Sequence, residues 1–99
     1  MMKLRINPLV AVDLKSIKEY IAEDSIDMAT KTVQEIYSMF ENIQLFPYMG
    51  ADLSKRVSFK TYYKYIVHGN YVVLYKVDVE YIEIYRVVNR YQDITKIFE

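Results

Sequence analysis

The sequence contains no cysteine. That absence excludes a disulfide framework, a thiolate nucleophile and a cysteine-ligated metal at once, and it suits a reducing compartment. There is one histidine, His68, too few for a histidine-based metal cluster. The only glycines are Gly50 and Gly69, so no glycine-rich loop can cradle a phosphate, and no Gly-x-Ser-x-Gly elbow is present for acyl transfer. With two prolines as well, nothing in the chain reads as low-complexity or disordered. Apolar runs fall far short of the roughly 18–20 residues that a membrane span requires. The opening Met-Met-Lys-Leu-Arg reaches charge at once, unlike a signal peptide. The expectation is a soluble, cytoplasmic protein without a cofactor or a membrane partner.

What is present is a globular composition, 53% hydrophobic and 15% aromatic over 99 residues, enough for one domain and one core. Formal net charge is zero, yet the stretch Leu53 to Val77 holds Lys55, Arg56, Lys60, Lys64 and Lys76 and no acid. Such a segment attracts phosphate or an acidic peptide. The same charges also serve simply to solvate a strand face and keep a sheet from aggregating.

Periodicity supplies the elements. Met2, Leu4 and Ile6 alternate with Lys3 and Arg5, the pattern of a half-buried strand. Asn7-Pro8 then offers an N-cap and a first-turn proline. Val10, Leu14, Ile17 and Ile21 form one apolar stripe of a helix that fades around Ala22 to Asp24. Asp24 or Ser25 can cap a second helix, with Asp27 favourably placed in its first turn and Ala29, Val33, Ile36, Phe40 and Ile43 as its stripe. Pro47 stops it. The two stripes predict an antiparallel helical hairpin.

After a loop from Pro47 to Lys55 the pattern changes to strands: Val57 to Val67, a His68-Gly69-Asn70 turn, Tyr71 to Val77, a turn at Asp78 to Glu80, and Tyr81 to Val88. Tyr71 to Val77 is apolar on both faces, as a central strand is. Asp93 to Glu99 predicts a short terminal helix bearing Ile94, Ile97 and Phe98. The expected architecture is a single α+β domain over 1–99, β-α-α-β-β-β, with the hairpin packed on one face of an antiparallel sheet and a short C-terminal element.

Candidate chemistry gathers in the C-terminal half. Nine of the eleven tyrosines lie between Tyr48 and Tyr91. Tyr63, Tyr65, Tyr71, Tyr75, Tyr85 and Tyr91 interleave with Lys60, Lys64, Arg86 and Arg90. Aromatic faces stack on unpaired bases while cations hold phosphates. Tyrosine is equally an ordinary strand residue that fills half-exposed sheet faces. His68 falls in a turn, where an exposed, incidental role competes with acid–base work.

Taken in order, these segments resemble the RelE/ParE family of bacterial toxins. Ile6-Asn7-Pro8 followed by Asp13-Leu14, Ile17 and Tyr20-Ile21 is similar to the family's opening strand and proline-started helix. Leu45-Phe46-Pro47 with Gly50 soon after resembles its helix-to-sheet loop. Gly69 to Val77, then Ile82 to Arg90, then Asp93-Ile94, resembles its tyrosine-rich strand, its strand ending in Arg-Val, and its basic residue shortly before an aspartate.

The resemblance implies the toxin of a type II toxin–antitoxin pair, a growth inhibitor associated with plasmid stabilisation and neutralised by a cognate antitoxin. Arg56, Lys60, Lys64 and Arg86 are then candidates for binding the antitoxin or the target. Two activities follow from it. A ParE-like member poisons DNA gyrase. A RelE-like member cleaves mRNA on the ribosome, and here its candidate catalytic residues are Lys64, Arg90 and Tyr91. Val72 and Lys96 stand where RelE-like enzymes carry an arginine and a tyrosine, which favours the ParE-like reading. A non-toxic binding domain of the same fold is the third.

Overall fold

The computed structural model describes residues 2–98. Strand β1 (Lys3–Ile6) leads into helix α1 (Pro8–Ala22), and α2 (Ile26–Leu45) returns antiparallel to it. Local chemistry sets both helix starts. The Asn7 side chain accepts from the Leu9 N–H at 2.9 Å with Pro8 in the first turn, and Ser25 Oγ accepts from the Met28 N–H at 3.2 Å. Helix α2 ends at Leu45, two residues before Pro47. Gln44 then donates to the Met2 carbonyl at 2.8 Å, tying the end of α2 to the start of β1.

The remaining strands are β2 (Ala51–Asp52), β3 (Lys64–His68), β4 (Tyr71–Val77) and β5 (Tyr81–Asn89), in the sheet order β1-β5-β4-β3-β2. The antiparallel meander expected from the sequence is β3–β5. Strand β1 joins it parallel to β5, Leu4 opposite Ile82 and Ile6 opposite Ile84, so the sheet is mixed. The helical hairpin carries the chain from the β1 edge to the opposite edge, and the meander works back until its last strand lies beside the first.

Two further expectations are corrected. Of the anticipated Val57–Val67 strand only Lys64–Val67 is extended and paired, with His68 of the anticipated turn added to it, while a short β2 within the anticipated loop supplies the edge. Val57 and Tyr63 instead pack around buried Leu53 on the sheet face away from the helices, so their apolar character reflects burial outside any ladder. The expected short terminal helix is present as a 3-10 helix, Ile94–Phe98; Glu99 lies outside the described residues.

Both sheet faces are covered. Val10, Leu14 and Ile17 of α1 and Ile36, Phe40 and Ile43 of α2 pack on Val73, Tyr75, Ile82, Ile84 and Val87. On the other face Leu53, Val72, Leu74 and Val88 lie under Tyr63, Tyr65, Tyr85, Ile94, Ile97 and Phe98. This explains why β4 is apolar on both sides. Register slips between Leu74 and Tyr75, where Leu74 opposes Arg86 and Tyr75 opposes Ile84, so Tyr85 is a bulged residue. Alternation after Ile84 puts the Tyr85 ring on the second face, stacked on Phe98 at 5.5 Å and tilted on Tyr63 at 4.9 Å. The bulge resets the phase so that Val87 faces the helices and Val88 the second face.

Candidate functional site

The basic segment does not form one site; the fold distributes it. Arg86 is engaged first. Its Nε and Nη2 each donate at 2.8 Å to the two oxygens of Asp13 on α1, and the Val87 N–H donates to the same carboxylate at 3.0 Å. Strand β1 stops opposite Ile84, so Asp13 takes over the bare β5 edge just beyond it. The bidentate bond, foremost, holds the guanidinium above its ordinary pKa. This arginine joins helix to sheet.

Lys64 opens β3 and donates to Asp52 on β2 at 2.8 Å, with its ammonium 5.7 Å from the centre of the Tyr48 ring. Arg90 follows β5 at the other end of the same strand, where it donates to the Gly69 carbonyl at 3.3 Å. Gly69 is five residues along from Lys64, about 16 Å of extended chain. Tyr91 is 81% exposed, under the Arg90 guanidinium at 5.6 Å. Lys64 and Arg90 therefore line different cavities.

Arg90 shares its cavity, about 360 Å³, with Arg56, Tyr65, Asp93 and Thr95, over the buried Val72. Arg56 also lies 5.8 Å over the Tyr65 ring. Two guanidinium groups around one hollow suit a phosphate or carboxylate. The one carboxylate there, Asp93, accepts from the Thr95 hydroxyl at 2.6 Å and its N–H at 3.0 Å, which hold its pKa below the usual aspartate range. No histidine lines the cavity. A carboxylate held low is a weak base, so the arrangement favours anion binding over proton transfer.

Lys60 is exposed in a second hollow, which it shares with Tyr48, Tyr62 and Lys64. His68, anticipated as a bare turn residue, ends β3 and places Nε2 2.9 Å from Glu35 of α2. That pair, like Arg56 with Arg90 and Asp13 with Arg86, joins residues far apart in the chain and has no local sequence signature. Among the described residues no cluster of three potential ligands could hold a metal ion, and no helix is long and apolar enough to cross a membrane.

A helical hairpin on one face of a five-stranded mixed sheet, with a short 3-10 element after the last strand, defines a small α+β domain. The family model described as the ParE toxin of type II toxin–antitoxin systems, parDE, matches residues 4–94. The chain belongs to the ParE toxin family, in agreement with the resemblance read from its motifs. Among solved structures, a chain of the chromosomal ParDE toxin–antitoxin system from P. aeruginosa has the same fold, with a TM-score of 0.74 at 23% identity. The match covers 90% of this chain and 96% of that one. No curated protein is similar enough to count as a relative.

Proposed function

We propose that this type II toxin acts in the ParE manner, poisoning DNA gyrase, and that a cognate antitoxin neutralises it. The observation that carries this reading is the separation of the groups a ribonuclease would need. Cleavage of an RNA phosphodiester requires cations at one phosphate and a proton acceptor at its 2′-hydroxyl. Lys64 is paired with Asp52 at one end of β3, while Arg90 lies at the other end. Tyr91 points to solvent beside Arg90, and apolar Val72 floors the Arg90 cavity. The RelE-like assignment of Lys64, Arg90 and Tyr91 as one catalytic set lacks this convergence. An antitoxin segment that is acidic and disordered when free would fold across Arg56, Lys60 and Lys64. Arg86 contributes by holding α1 to the sheet.

Induction in growing cells, with labelled precursors of DNA and protein followed in parallel, tests the reading. DNA synthesis should stop first, with a DNA-damage response, and co-expression of the antitoxin should restore growth. Translation arrest with cleaved mRNA would establish the ribonuclease instead. Absence of a growth defect, with soluble protein present, would leave a binding domain without toxicity.

A further inference from the structure

We propose that the cleft between the helix-to-sheet loop and the start of β3 binds one nucleotide of a single-stranded nucleic acid, its base stacked on Tyr48 and Tyr62 and its phosphate held by Lys60. This goes beyond the toxin reading, because a chain without toxicity would keep the same cleft.

Tyr75 is wholly buried, and Tyr63 and Tyr85 pack with Phe98. Tyr48 and Tyr62 do neither: they are 73% and 85% exposed and, among the described residues, contact no other aromatic ring. Both line one open cleft of about 380 Å³, together with Lys60, Lys64, Asp52 and Thr61. That is within the range that holds a small ligand.

The charges in the cleft are sorted. Asp52 is its one acid. The hydrogen bond from Lys64, foremost, and that ammonium's charge hold the Asp52 carboxyl below its usual range, so the two form a near-neutral pair. Lys60 has no carboxylate within 4.0 Å among the described residues, which leaves it free for an anion. No acid occurs from Leu53 to Val77 to repel a phosphate arriving at it.

Two exposed planar rings beside a free ammonium match a base attached to a phosphate. An acidic peptide would be drawn by the cation alone and would gain little from the rings. Stacking on an aromatic side chain strengthens single-strand binding about 5- to 150-fold per base, for any base.

Anisotropy of fluorescein-labelled oligothymidylate and oligouridylate with the full chain, at about 50 mM salt, tests this. Binding of either strand is expected, and the tighter of the two identifies the natural one as DNA or RNA. Tyr48→Ala and Tyr62→Ala should each weaken it at least about 5-fold, whereas Tyr48→Phe should not, since stacking needs the ring and no hydroxyl. Lys60→Gln should lower the slope of log affinity against log salt by about 0.7. Asp52→Asn, which releases Lys64, should tighten binding. Both tyrosines are exposed, so circular dichroism should be unchanged in their alanine variants. Absence of binding, or wild-type affinity in both alanine variants, would overturn the proposal. Because the acidic antitoxin segment would also cross Lys60 and Lys64, polyglutamate is expected to compete weakly; competition equal to that of the unlabelled oligonucleotide would overturn the proposal and leave the cleft to that segment.

Discussion

Tyr75 is the side chain on which the helix-to-sheet loop is hung. Its ring is fully buried under the helices, and burial, foremost, pushes the phenol pKa up, so the hydroxyl stays protonated and can donate. It donates to the Pro47 carbonyl at 2.8 Å and accepts from the Gly50 N–H at 2.9 Å. Gly50 is needed for that approach: a Cβ there would stand 2.6 Å from the phenol oxygen and 3.0 Å from the Tyr65 carbonyl oxygen. Removing the hydroxyl leaves both backbone groups without this partner while the ring still fills its place. Tyr75→Phe should therefore cost about 1–3 kcal/mol, read as a lower urea midpoint with an unchanged slope. A loss below about 0.5 kcal/mol would mean that solvent replaces the phenol and that the loop does not depend on it.

At the level of the elements, the β3–β4 hairpin depends on backbone conformation more than on contacts. His68 pairs with Tyr71 across a two-residue Gly69-Asn70 turn. Gly69 has φ of 59° and, among the described residues, no non-glycine residue has positive φ, which fits a II′ turn with glycine at its first central position. A Cβ at Gly69 would meet nothing within 4 Å, so any penalty comes from the left-handed backbone alone. Gly69→Ala should cost about 1–3 kcal/mol, and Gly69→Asn less, because asparagine is accepted more readily at the positive-φ position of such turns. Urea denaturation of the three proteins should rank them Gly, Asn, Ala. Equal losses for Asn and Ala would show that side-chain crowding, rather than φ, sets the penalty. This turn was legible as Gly-Asn between two β-rich runs, as the first helix start was in Asn7-Pro8; for the second, Asp24 and Ser25 were both candidates and Ser25 is the cap. The span Arg56 to Tyr63 was not. Its Val57 and Tyr63 carry a strand-like composition, yet they seal the second face around Leu53 without joining a ladder.

Over the whole molecule, local order in the chain gave away the layers but not the electrostatics that join them. Asp13 and Arg86, 73 residues apart, meet only because α1 lies along the β5 edge, and one acid or one base carries no sign of its partner. Candidate site residues were therefore legible as a population of cations and tyrosines, while their division into separate hollows was not. The response of the fold to acid rests on shorter-range partners. Asp52, Asp78 and Asp93 all have lowered pKa values. The first causes are the Lys64 hydrogen bond for Asp52, the Val79 N–H for Asp78 and the Thr95 hydroxyl for Asp93. A carboxyl whose pKa is lower folded than unfolded stabilises the fold fully above its unfolded value, and that contribution is lost as pH falls through the folded one. The melting temperature should therefore hold from neutrality down to the ordinary aspartate range and decline below it. Asp52 also separates its own share. In Asp52→Asn the acid decline should be shallower than in the parent, since that position no longer takes up a proton, although stability at neutral pH is lower. Melting curves of both proteins followed by far-ultraviolet circular dichroism between pH 7 and about pH 2.5 make the comparison. Parallel declines would remove the Asp52–Lys64 pair from the acid response and leave it to the other carboxylates.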